Sequence, residues 1–274
     1  MAVVVPATSA NMGPGFDAMG MALSLYAEVG IMDADPMPDG ARASEDTHPA
    51  QVAFRRAGGE GTTWVRSSIP MGRGLGFSGA VRVGGVVAAE VQRVGAAWDR
   101  GSSRAVEIGA ELEGHADNVA PSLWGGVVVV CEGEVTPVPV NLRASYVAWV
   151  PDSTTSTNES RGRIPTSVPL ADAVHNIGRA VMLATALVAG DPELLGRAVR
   201  DRLHQDLRLD AAPRSRAALR AGTDAGAWAG WLSGSGPTVL LVCDPARADA
   251  VAAALPEGGT ARVLTMDEAG ARVV

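Results

Sequence analysis

A glycine-rich turn that leads directly into a helical pattern is the strongest chemical signal in this chain. Residues 70–80 read P-M-G-R-G-L-G-F-S-G-A, and an apolar run follows Ser78 as far as Glu90. Glycines let the backbone approach an anion closely, and the first N–H groups of a helix form the positive end of its dipole. The segment therefore predicts a phosphate-binding loop. The alternative is a tight turn that binds no ligand.

The absence of lysine limits which classes of phosphate-binding site the chain can contain. The chain contains no lysine, so every basic side chain is an arginine. A P-loop NTPase needs the lysine of its GK[ST] motif and a protein kinase needs its strand lysine, so both classes are excluded. No G-x-G-x-x-G follows the first predicted strand, which leaves a Rossmann nucleotide site unsupported. Backbone groups, hydroxyls, a metal ion and Arg73 remain as candidates for holding phosphate.

Several further motifs accompany the glycine loop. In chain order they are P-A-T-S-A-N-M-G-P-G-F-D at 6–17, H-A-D-N-V-A-P at 115–121, S-T-N-E-S-R at 156–161 followed by I-P at 164–165, D-R-L-H-Q at 201–205, and L-S-G-S-G-P-T-V at 232–239. Taken together and in this order, they resemble the GHMP small-molecule kinases, and within them the homoserine kinase family. The resemblance extends over almost the whole chain.

The resemblance implies a fold and an activity. The fold is α+β, the GHMP kinase two-domain fold, with an N-terminal ribosomal-protein-S5-like domain and a C-terminal ferredoxin-like domain. We place the boundary near Arg143, which gives a nucleotide- and substrate-binding domain at 1–143 and a second domain at 144–274. The implied reaction is ATP-dependent phosphorylation of the side-chain hydroxyl of L-homoserine, with Mg²⁺, in threonine biosynthesis. Two alternatives stay open: a kinase for another hydroxy amino acid such as threonine, and a binding sensor without turnover.

The resemblance assigns the nucleotide and metal contacts to the glycine loop and a nearby glutamate. The expected nucleotide-binding residues are Pro70, Gly72, Arg73, Gly74, Leu75, Gly76, Ser78 and Gly79. Ser78 and Glu113 are the expected metal ligands, with Glu111 and Glu107 as alternatives, because a hard cation such as Mg²⁺ prefers oxygen ligands. Phe77 stands where the family has a serine. It either packs inward without consequence or impairs turnover.

Three residues are expected near the transferred phosphoryl group. His115 would orient the substrate, and Thr157 would form a polar wall. Asn118 stands where some other GHMP kinases have an aspartate base. An amide cannot accept a proton at neutral pH, so the resemblance implies phosphoryl transfer without a protein base.

The expected amino-acid pocket combines one carboxylate with two guanidinium groups. Asp17 matches a family residue for an ammonium group, and Asn11 supplies an amide beside it. Arg161 and Arg208 match two arginines that grip a carboxylate, for which the guanidinium fork is geometrically suited. The 232–239 motif is expected to support the glycine loop by packing. Such a pocket fits an α-amino acid.

Hydrophobic patterning and turn residues predict the elements that carry these motifs. We expect strands at 2–6, 22–32, 62–68, 125–131, 136–142, 146–150, 228–232, 238–243 and 261–265. We expect helices at 49–56, 77–94, 104–113, 170–188, 192–202, 214–221 and 246–255. A helix at 170–188 would carry Asn176 and Arg179, which are expected to brace the substrate arginines.

Composition limits the partners and the compartment. The 274 residues carry a net charge of −7 and show no basic cluster, which makes nucleic acid and anionic membranes poor partners. Cys131 and Cys243 lie in apolar runs, so both are expected to be buried free thiols in a reducing cytoplasm. No signal peptide or membrane-length apolar run is visible. A homodimer is a family expectation.

Overall fold

The computed structural model describes residues 1–154 and 157–274, and for residues 157–159 it describes the backbone only. The side chain of Thr157, one of the expected catalytic groups, therefore lies outside the described part of the chain. Its backbone begins a short helix.

The first half of the chain forms strands and helices that alternate irregularly. The strands are β1 (Val3–Ala10), β2 (Met19–Ile31), β3 (Arg42–Ala43), β4 (Thr63–Ser67), β5 (Val127–Cys131) and β6 (Glu134–Val138). The helices are α1 (Pro49–Arg56), α2 (Phe77–Val94), α3 (Ala105–Glu113) and α4 (Val119–Trp124). Helix α2 packs on β1, β2 and α1, and its buried stretch runs from Gly79 to Val91.

The second half is built around one smaller sheet. Its strands are β7 (Ser145–Pro151), β8 (Ala229–Leu232), β9 (Val239–Cys243) and β10 (Gly259–Leu264), and a last strand, β11 (Arg272–Val273), follows. Its helices are α5 (Thr157–Gly162), α6 (Leu170–Ala189), α7 (Pro192–Ala198), α8 (Gln205–Asp210), α9 (Pro213–Asp224) and α10 (Ala248–Ala253).

Two antiparallel sheets organise these elements. The first has the order β11-β1-β2-β4-β3, with β5 joining β2 to β6, and the second has the order β10-β7-β9-β8. Strands β1–β6 of the first sheet precede residue 144, and the second sheet begins with β7 at Ser145. However, β11 pairs with β1, with Val3 opposite Val273, so the end of the predicted 144–274 domain returns to the first sheet.

A continuous hydrophobic core joins the two halves. It includes Val5 and Val86 from the first half and Trp231 and Leu240 from the second. Close helix packing in the first half depends on glycine, because a Cβ at Gly85 would collide with the backbone of α1. The site described below therefore lies between two units that share one apolar interior.

Several predicted elements agree with the structure, and others differ. Helices α1 and α2 have the predicted bounds, and the α+β class is confirmed. Strand β1 continues to Ala10, through half of the first glycine motif, because small residues with buried side chains extend its pairing with β2. Helix α7 ends at Ala198 rather than at 202. Cys131 is exposed, which corrects the prediction of a buried thiol, because it ends β5 at a hairpin turn.

The longest described helix, α6, has 20 residues. Among the described residues, no helix combines the length and the apolar character required to cross a bilayer.

Candidate active site

Three glycines at alternate positions determine the backbone conformation of the glycine loop. Gly72, Gly74 and Gly76 have φ values of +65°, +77° and +68°, in the left-handed region that other residues rarely adopt. A Cβ at Gly74 would collide with the carbonyl of Ser233, and a Cβ at Gly76 would collide with the hydroxyl of Thr8. The loop therefore packs closely against both halves of the molecule, and positions 74 and 76 have no space for a side chain.

The loop ends where helix α2 begins. Gly76 is the N-cap residue of α2, and within the described chain no side chain caps this helix start. The first N–H groups of a helix need partners, and an anion can supply them. The N-terminus of α2 is therefore chemically suited to a phosphate group.

Ser78, in the first turn of α2, meets a carboxylate from α3. Its hydroxyl donates a hydrogen bond to Glu113, and Arg82, one turn further along α2, forms an ion pair with the same carboxylate at 2.5 Å. Only 14% of the Glu113 side chain is exposed. Glu111 instead pairs with Arg56, and Glu107 pairs with Arg104, both at exposed positions. Of the three glutamates, Glu113 alone lines the cavity beside the glycine loop.

The oxygen atoms of Ser78 and Glu113 fit a hard cation that is shared with phosphate. Among the described residues, no group of three or more acidic, histidine or cysteine side chains forms a cage that could hold a metal alone. Mg²⁺ commonly takes one or two carboxylates, with its other ligands from phosphates and water. One hydroxyl and one carboxylate at the mouth of a phosphate loop match that ligand set.

His115, Asp117 and Asn118 form a hydrogen-bonded group behind the loop. His115 Nδ1 lies 2.7 Å from Asp117 Oδ1, and this hydrogen bond raises the pKa of His115. The hydroxyl of Thr8 donates to Asn118 Oδ1 at 2.7 Å, which orients the amide. His115 and Asn118 both line the small cavity at the glycine loop, which has a volume of about 130 Å³.

The first glycine motif places Asn11 and Asp17 in unusual backbone conformations. Asn11 and Asp17 have φ values of +68° and +55°. The amide of Asn11 donates to the carbonyl of Gly234 and accepts from the backbone N–H of Asp17. Non-glycine residues at positive φ persist where their surroundings enforce them. The side chain of Asn11 therefore fixes the turn that presents Asp17.

Asp17 and Arg161 form a bidentate ion pair across the two halves. Both nitrogen–oxygen distances are 2.9 Å, and the side chains are 33% and 43% exposed. The predicted ammonium-binding and carboxylate-binding groups therefore neutralise each other. The pair is open to solvent, so a ligand carrying both charges can reach each member.

Arg208 approaches the same region from the interior. It is 5% exposed, and its guanidinium donates to His204 Nδ1 at 3.0 Å and to the carbonyl of Gly234 at 3.3 Å. Burial lowers its pKa. Among the described atoms, Nε of Arg208 has no hydrogen-bond partner. A buried cation with an unpaired donor is suited to an incoming carboxylate.

One aromatic ring organises the two arginines. The ring centre of Phe16 lies 5.8 Å from Cζ of Arg161, 5.4 Å from Cζ of Arg208 and 5.0 Å from the ring of His204. Cations on an aromatic face are attracted to its quadrupole. Phe16 therefore holds both guanidinium groups on the side from which Asp17 is presented.

Contacts between the halves hold the loop in place. The hydroxyl of Ser233 donates to the carbonyl of Gly74 at 2.6 Å. Arg73 donates to the carbonyls of Pro151 and Asp152 at 2.9 and 3.0 Å, so its guanidinium is bound to the second half. The 232–239 motif thus contacts the loop, as expected from the sequence. Arg73 fixes the loop to the second half and also lines the small cavity at the glycine loop.

A larger cavity of about 730 Å³ adjoins the loop on its other side. Phe77, Met71, His48 and Ile69 contribute to its walls, and the rings of His48 and Phe77 meet edge to face at 6.2 Å. Because Phe77 lines both this cavity and the small cavity at the glycine loop, the two are neighbours along the loop. A flat apolar group attached to phosphates would fit this arrangement.

The structure brings most of the predicted site residues together. Sequence analysis missed Arg82, Thr8 and Phe16, and it gave His204 no role of its own. Arg82 follows Ser78 by four residues, and this spacing places both side chains on the same face of a helix. The sequence could therefore have indicated that Arg82 lies near Ser78. Thr8 had no such signal, because its partner Asn118 lies 110 residues away. The predicted brace Asn176 contacts Asp201 and the carbonyl of Pro14 instead of an arginine side chain.

Comparisons with known proteins agree with this geometry. The model of the GHMP kinase N-terminal domain matches residues 47–126, and that of the GHMP kinase C-terminal region matches residues 183–261. A homoserine kinase of Desulfitobacterium hafniense is 37% identical, with 99% of each chain covered. One of Streptomyces avermitilis is 40% identical, covering 99% of this chain and 95% of that protein.

Solved structures support the same assignment. The homoserine kinase of Cytophaga hutchinsonii superposes with a TM-score of 0.85 at 26% identity, over 100% of this chain and 97% of that one. The mevalonate kinase of Methanococcus jannaschii has the same fold, with a TM-score of 0.71 at 13% identity over 97% and 98% of the two chains. The chain belongs to the GHMP kinases and, among them, to the homoserine kinase family.

Proposed function

We propose that this protein transfers the γ-phosphoryl group of ATP to the side-chain hydroxyl of L-homoserine, forming O-phospho-L-homoserine for threonine biosynthesis. Membership of a kinase family supports the use of ATP. The observation that carries the choice of acceptor is the Asp17–Arg161 ion pair beside the buried guanidinium of Arg208. One carboxylate and two guanidinium groups complement the ammonium and carboxylate of an α-amino acid.

Substrate binding exchanges ion-pair partners. The ammonium of the amino acid takes Asp17, and its carboxylate takes Arg161 and the unpaired Nε of Arg208. Each charge that loses a partner in this exchange gains another. The exchange therefore avoids the free-energy cost of leaving a buried charge unpaired. The side-chain hydroxyl then extends toward His115 and Asn118 at the phosphate cavity.

The nucleotide lies along the glycine loop. Its phosphates accept from backbone N–H groups at Gly72–Gly79 and at the start of α2, and the cavity beside Phe77 and His48 takes the base. Ser78 and Glu113 would hold Mg²⁺, which neutralises developing negative charge on the phosphates. Arg82 shares the Glu113 carboxylate and orients it.

No strong base is needed at the acceptor hydroxyl. Asn118 is an amide, and the Asp117 hydrogen bond that raises the pKa of His115 favours the protonated imidazole, which cannot accept a proton. A loose transition state for phosphoryl transfer requires little activation of the nucleophile. The residues therefore act by positioning, and the hydroxyl loses its proton late, to an oxygen of the transferred γ-phosphoryl group.

A panel of acceptors tests the proposal. ADP release is measured with homoserine, threonine, serine and mevalonate, and we expect homoserine to have the highest kcat/KM. Threonine preference would favour the alternative hydroxy amino acid kinase, since threonine is an isomer of homoserine with its hydroxyl on a different carbon. Serine lacks one methylene of homoserine, and hydrophobic pockets discriminate such a difference by only about 1–3 kcal/mol. Binding of ATP and homoserine without ADP release would favour the sensor. We propose a cytoplasmic location, which the two free thiols support.

A further inference from the structure

A further cavity of about 410 Å³ adjoins the turn of the 232–239 motif. Its walls come from that turn, from the start of α9, and from segments at the ends of β7 and α5. Ser235 and Gly236 also line the small cavity at the glycine loop, so the two cavities are neighbours. Among the described residues, no residue of the glycine loop lines the further cavity, and neither Asp17 nor Arg161 does. It is therefore separate from the sites described above.

Three guanidinium groups line this cavity, which we call the arginine cavity. They belong to Arg163, Arg208 and Arg214. No carboxylate is found among the described lining residues, and the two aspartates of the neighbouring helix α8 pair with Arg216 instead. A concave surface with charge of one sign concentrates ions of the other sign. The arginine cavity is therefore suited to an anion.

Two of the three arginines keep donors without a partner in the described chain. Arg208 is only 5% exposed, and its Nε forms no hydrogen bond. Arg214 is exposed and forms no hydrogen bond or ion pair with any described residue. Burying a cation whose donor is unpaired is costly, and an anion in the cavity would offset that cost.

The start of helix α9 supplies further donors. Residues 211–215 line the cavity, and α9 has 12 residues. No side chain caps the helix at Ala212, its first turn holds no acidic residue, and the N–H groups of Arg214 and Ser215 have no partner among the described residues. Free N–H groups at the positive end of a helix dipole bind anions. The helix start and the buried Arg208 are independent features that favour the same ligand charge.

We propose that the arginine cavity binds a small phosphate monoester, held by Arg163, Arg208, Arg214 and the first N–H groups of α9. A phosphate group carries up to two negative charges and several acceptor oxygens, which match guanidinium forks and helix N–H groups. Leu232 and Pro237 add apolar wall that suits the organic part of the ester. The volume of the cavity lies within the range of about 300–1,000 Å³ that is typical of small-molecule pockets.

The bound ester would compete with the amino acid for Arg208. This step rests on the proposed function, which assigns Nε of Arg208 to the carboxylate of the substrate. An ester that accepts a hydrogen bond from the same Nε removes one contact from the amino acid, while Asp17 and Arg161 remain available. Occupancy of the arginine cavity should therefore raise the KM for homoserine and leave the KM for ATP unchanged.

Isothermal titration calorimetry on the full chain tests the site directly. AMP-PNP and Mg²⁺ are kept at saturating concentrations so that the phosphate-binding positions of the glycine loop are occupied. Glycerol 3-phosphate, inorganic phosphate and succinate are then titrated in separate experiments. We expect glycerol 3-phosphate to bind most tightly. An absence of binding by glycerol 3-phosphate, or tighter binding by either of the other two anions, would overturn the proposal.

Variants locate the bound ester. Arg214→Gln should weaken the binding of glycerol 3-phosphate by about tenfold, because a charged hydrogen-bond donor is lost. Arg220→Gln is the matched control, since Arg220 is exposed on the same helix and does not line the cavity. Ala212→Asp places a carboxylate at the N-cap, and it should abolish binding without lowering the melting temperature. Binding that is lost in Arg161→Leu but retained in Arg214→Gln would place the ester in the amino-acid pocket and overturn the proposal.

Steady-state kinetics tests the competition for Arg208. Glycerol 3-phosphate should raise the KM for homoserine in wild type, and the same increase should require a higher ester concentration in Arg214→Gln. Calorimetric binding without any change in the KM for homoserine would overturn the competition. A protein that binds the ester but phosphorylates no acceptor would contradict the proposed function and still support the arginine cavity, because calorimetry does not depend on turnover.

Discussion

The proposed phosphate side and the proposed amino-acid side of the crevice are built on different principles. On the phosphate side, one contiguous segment supplies the loop, the helix start and Ser78, and its chemistry depends mainly on backbone N–H groups. On the amino-acid side, Asp17, Arg161 and Arg208 come from three distant segments, and side-chain charge carries the chemistry. The phosphate side is therefore local and tolerant of side-chain change, and the amino-acid side is non-local and sensitive to it.

The two sides also differ in their state without a ligand. The amino-acid charges already satisfy one another through the Asp17–Arg161 pair. At the phosphate side, Glu113 is held by Ser78 and Arg82, and the start of α2 lacks a side-chain cap within the described chain. A mutation on the phosphate side should thus mainly affect kcat, and one on the amino-acid side should mainly affect the KM for homoserine.

The largest effect is expected for Glu113, because it is a side chain on which the phosphate side depends. Glu113→Gln should lower kcat by roughly 10²–10³-fold, the size of effect seen when one contact to developing charge is removed. The KM for homoserine should remain nearly unchanged in steady-state assays. Glu111→Gln, which loses only an exposed ion pair with Arg56, is the matched control. Reversed phenotypes would move the metal ligand to Glu111, and two mild phenotypes would point to Glu107.

The next effect concerns the amino-acid side. Arg161→Leu should raise the KM for homoserine by about 30-fold, or about 2 kcal/mol, while the KM for ATP stays nearly constant. Loss of one member of a buried pair costs about 2–5 kcal/mol, and the partial exposure of Arg161 favours the lower end. Arg66→Leu removes a comparable surface pair with Glu28 and should leave both constants unchanged. An unaltered KM for homoserine in Arg161→Leu would contradict the assigned pocket.

Phe77 tests the tolerance of the phosphate side. Phe77→Ser should change kcat by less than tenfold, or about 1.4 kcal/mol, because the backbone contacts to phosphate remain. The KM for ATP should rise, since the ring lines the cavity assigned to the base. Steady-state assays at saturating homoserine separate the two constants. Activity that appears only in Phe77→Ser would mean that the wild-type protein is a sensor.

The smallest effect should appear in the pH dependence of stability. Burial lowers the pKa of His204, and Arg208, which can only donate, keeps Nδ1 of His204 as an acceptor while Nε2 donates to Gly13. A histidine with a lowered folded pKa contributes stability that is complete above its unfolded value of 6.5 and is lost as pH falls below it. His204 should therefore contribute a loss of stability from pH 7.5 to 5.5, which His115, whose pKa is raised, opposes in part.

Denaturant unfolding at several pH values provides the measurement. His204→Gln should be less stable than wild type at pH 7.5, because the buried network around Arg208 is altered, but its stability should change less with pH. His175→Gln alters a partly exposed histidine on α6 whose pKa is also lowered by desolvation, and it should reduce the slope less than His204→Gln does. An equal slope in His204→Gln and wild type would assign the pH dependence to other groups.

Sequence reasoning succeeded where the determinant was local. The proline at the start of α1 and the mostly apolar run of α2 predict the bounds of these two helices, and the bounds of both helices are confirmed. The glycine loop was recognised because its three glycines lie within five consecutive residues. The α+β class followed from motifs whose order is characteristic of the family.

Sequence reasoning was weaker where partners are distant in the chain. Asp17 and Arg161 are 144 residues apart in the chain, and the local sequence around each residue does not indicate that the two pair directly. Strand β11 has two residues, too few for any alternation pattern, and it became visible only through its partner β1. The burial of Arg208 depends on Phe16 and His204 closing around it, which is a property of packing.

The return of the chain to its first sheet has a mechanical consequence. The second sheet is joined to the first at two points, where the chain enters β7 and where it leaves β10. Leu264 pairs with Tyr146, so the two crossings run side by side as a double-stranded strap. Two adjacent chain segments hold the second sheet to the first more firmly against twisting than a single crossing would. Together with the core that the two halves share, this connectivity favours a fixed relative orientation of the segments that carry Asp17 and Arg161.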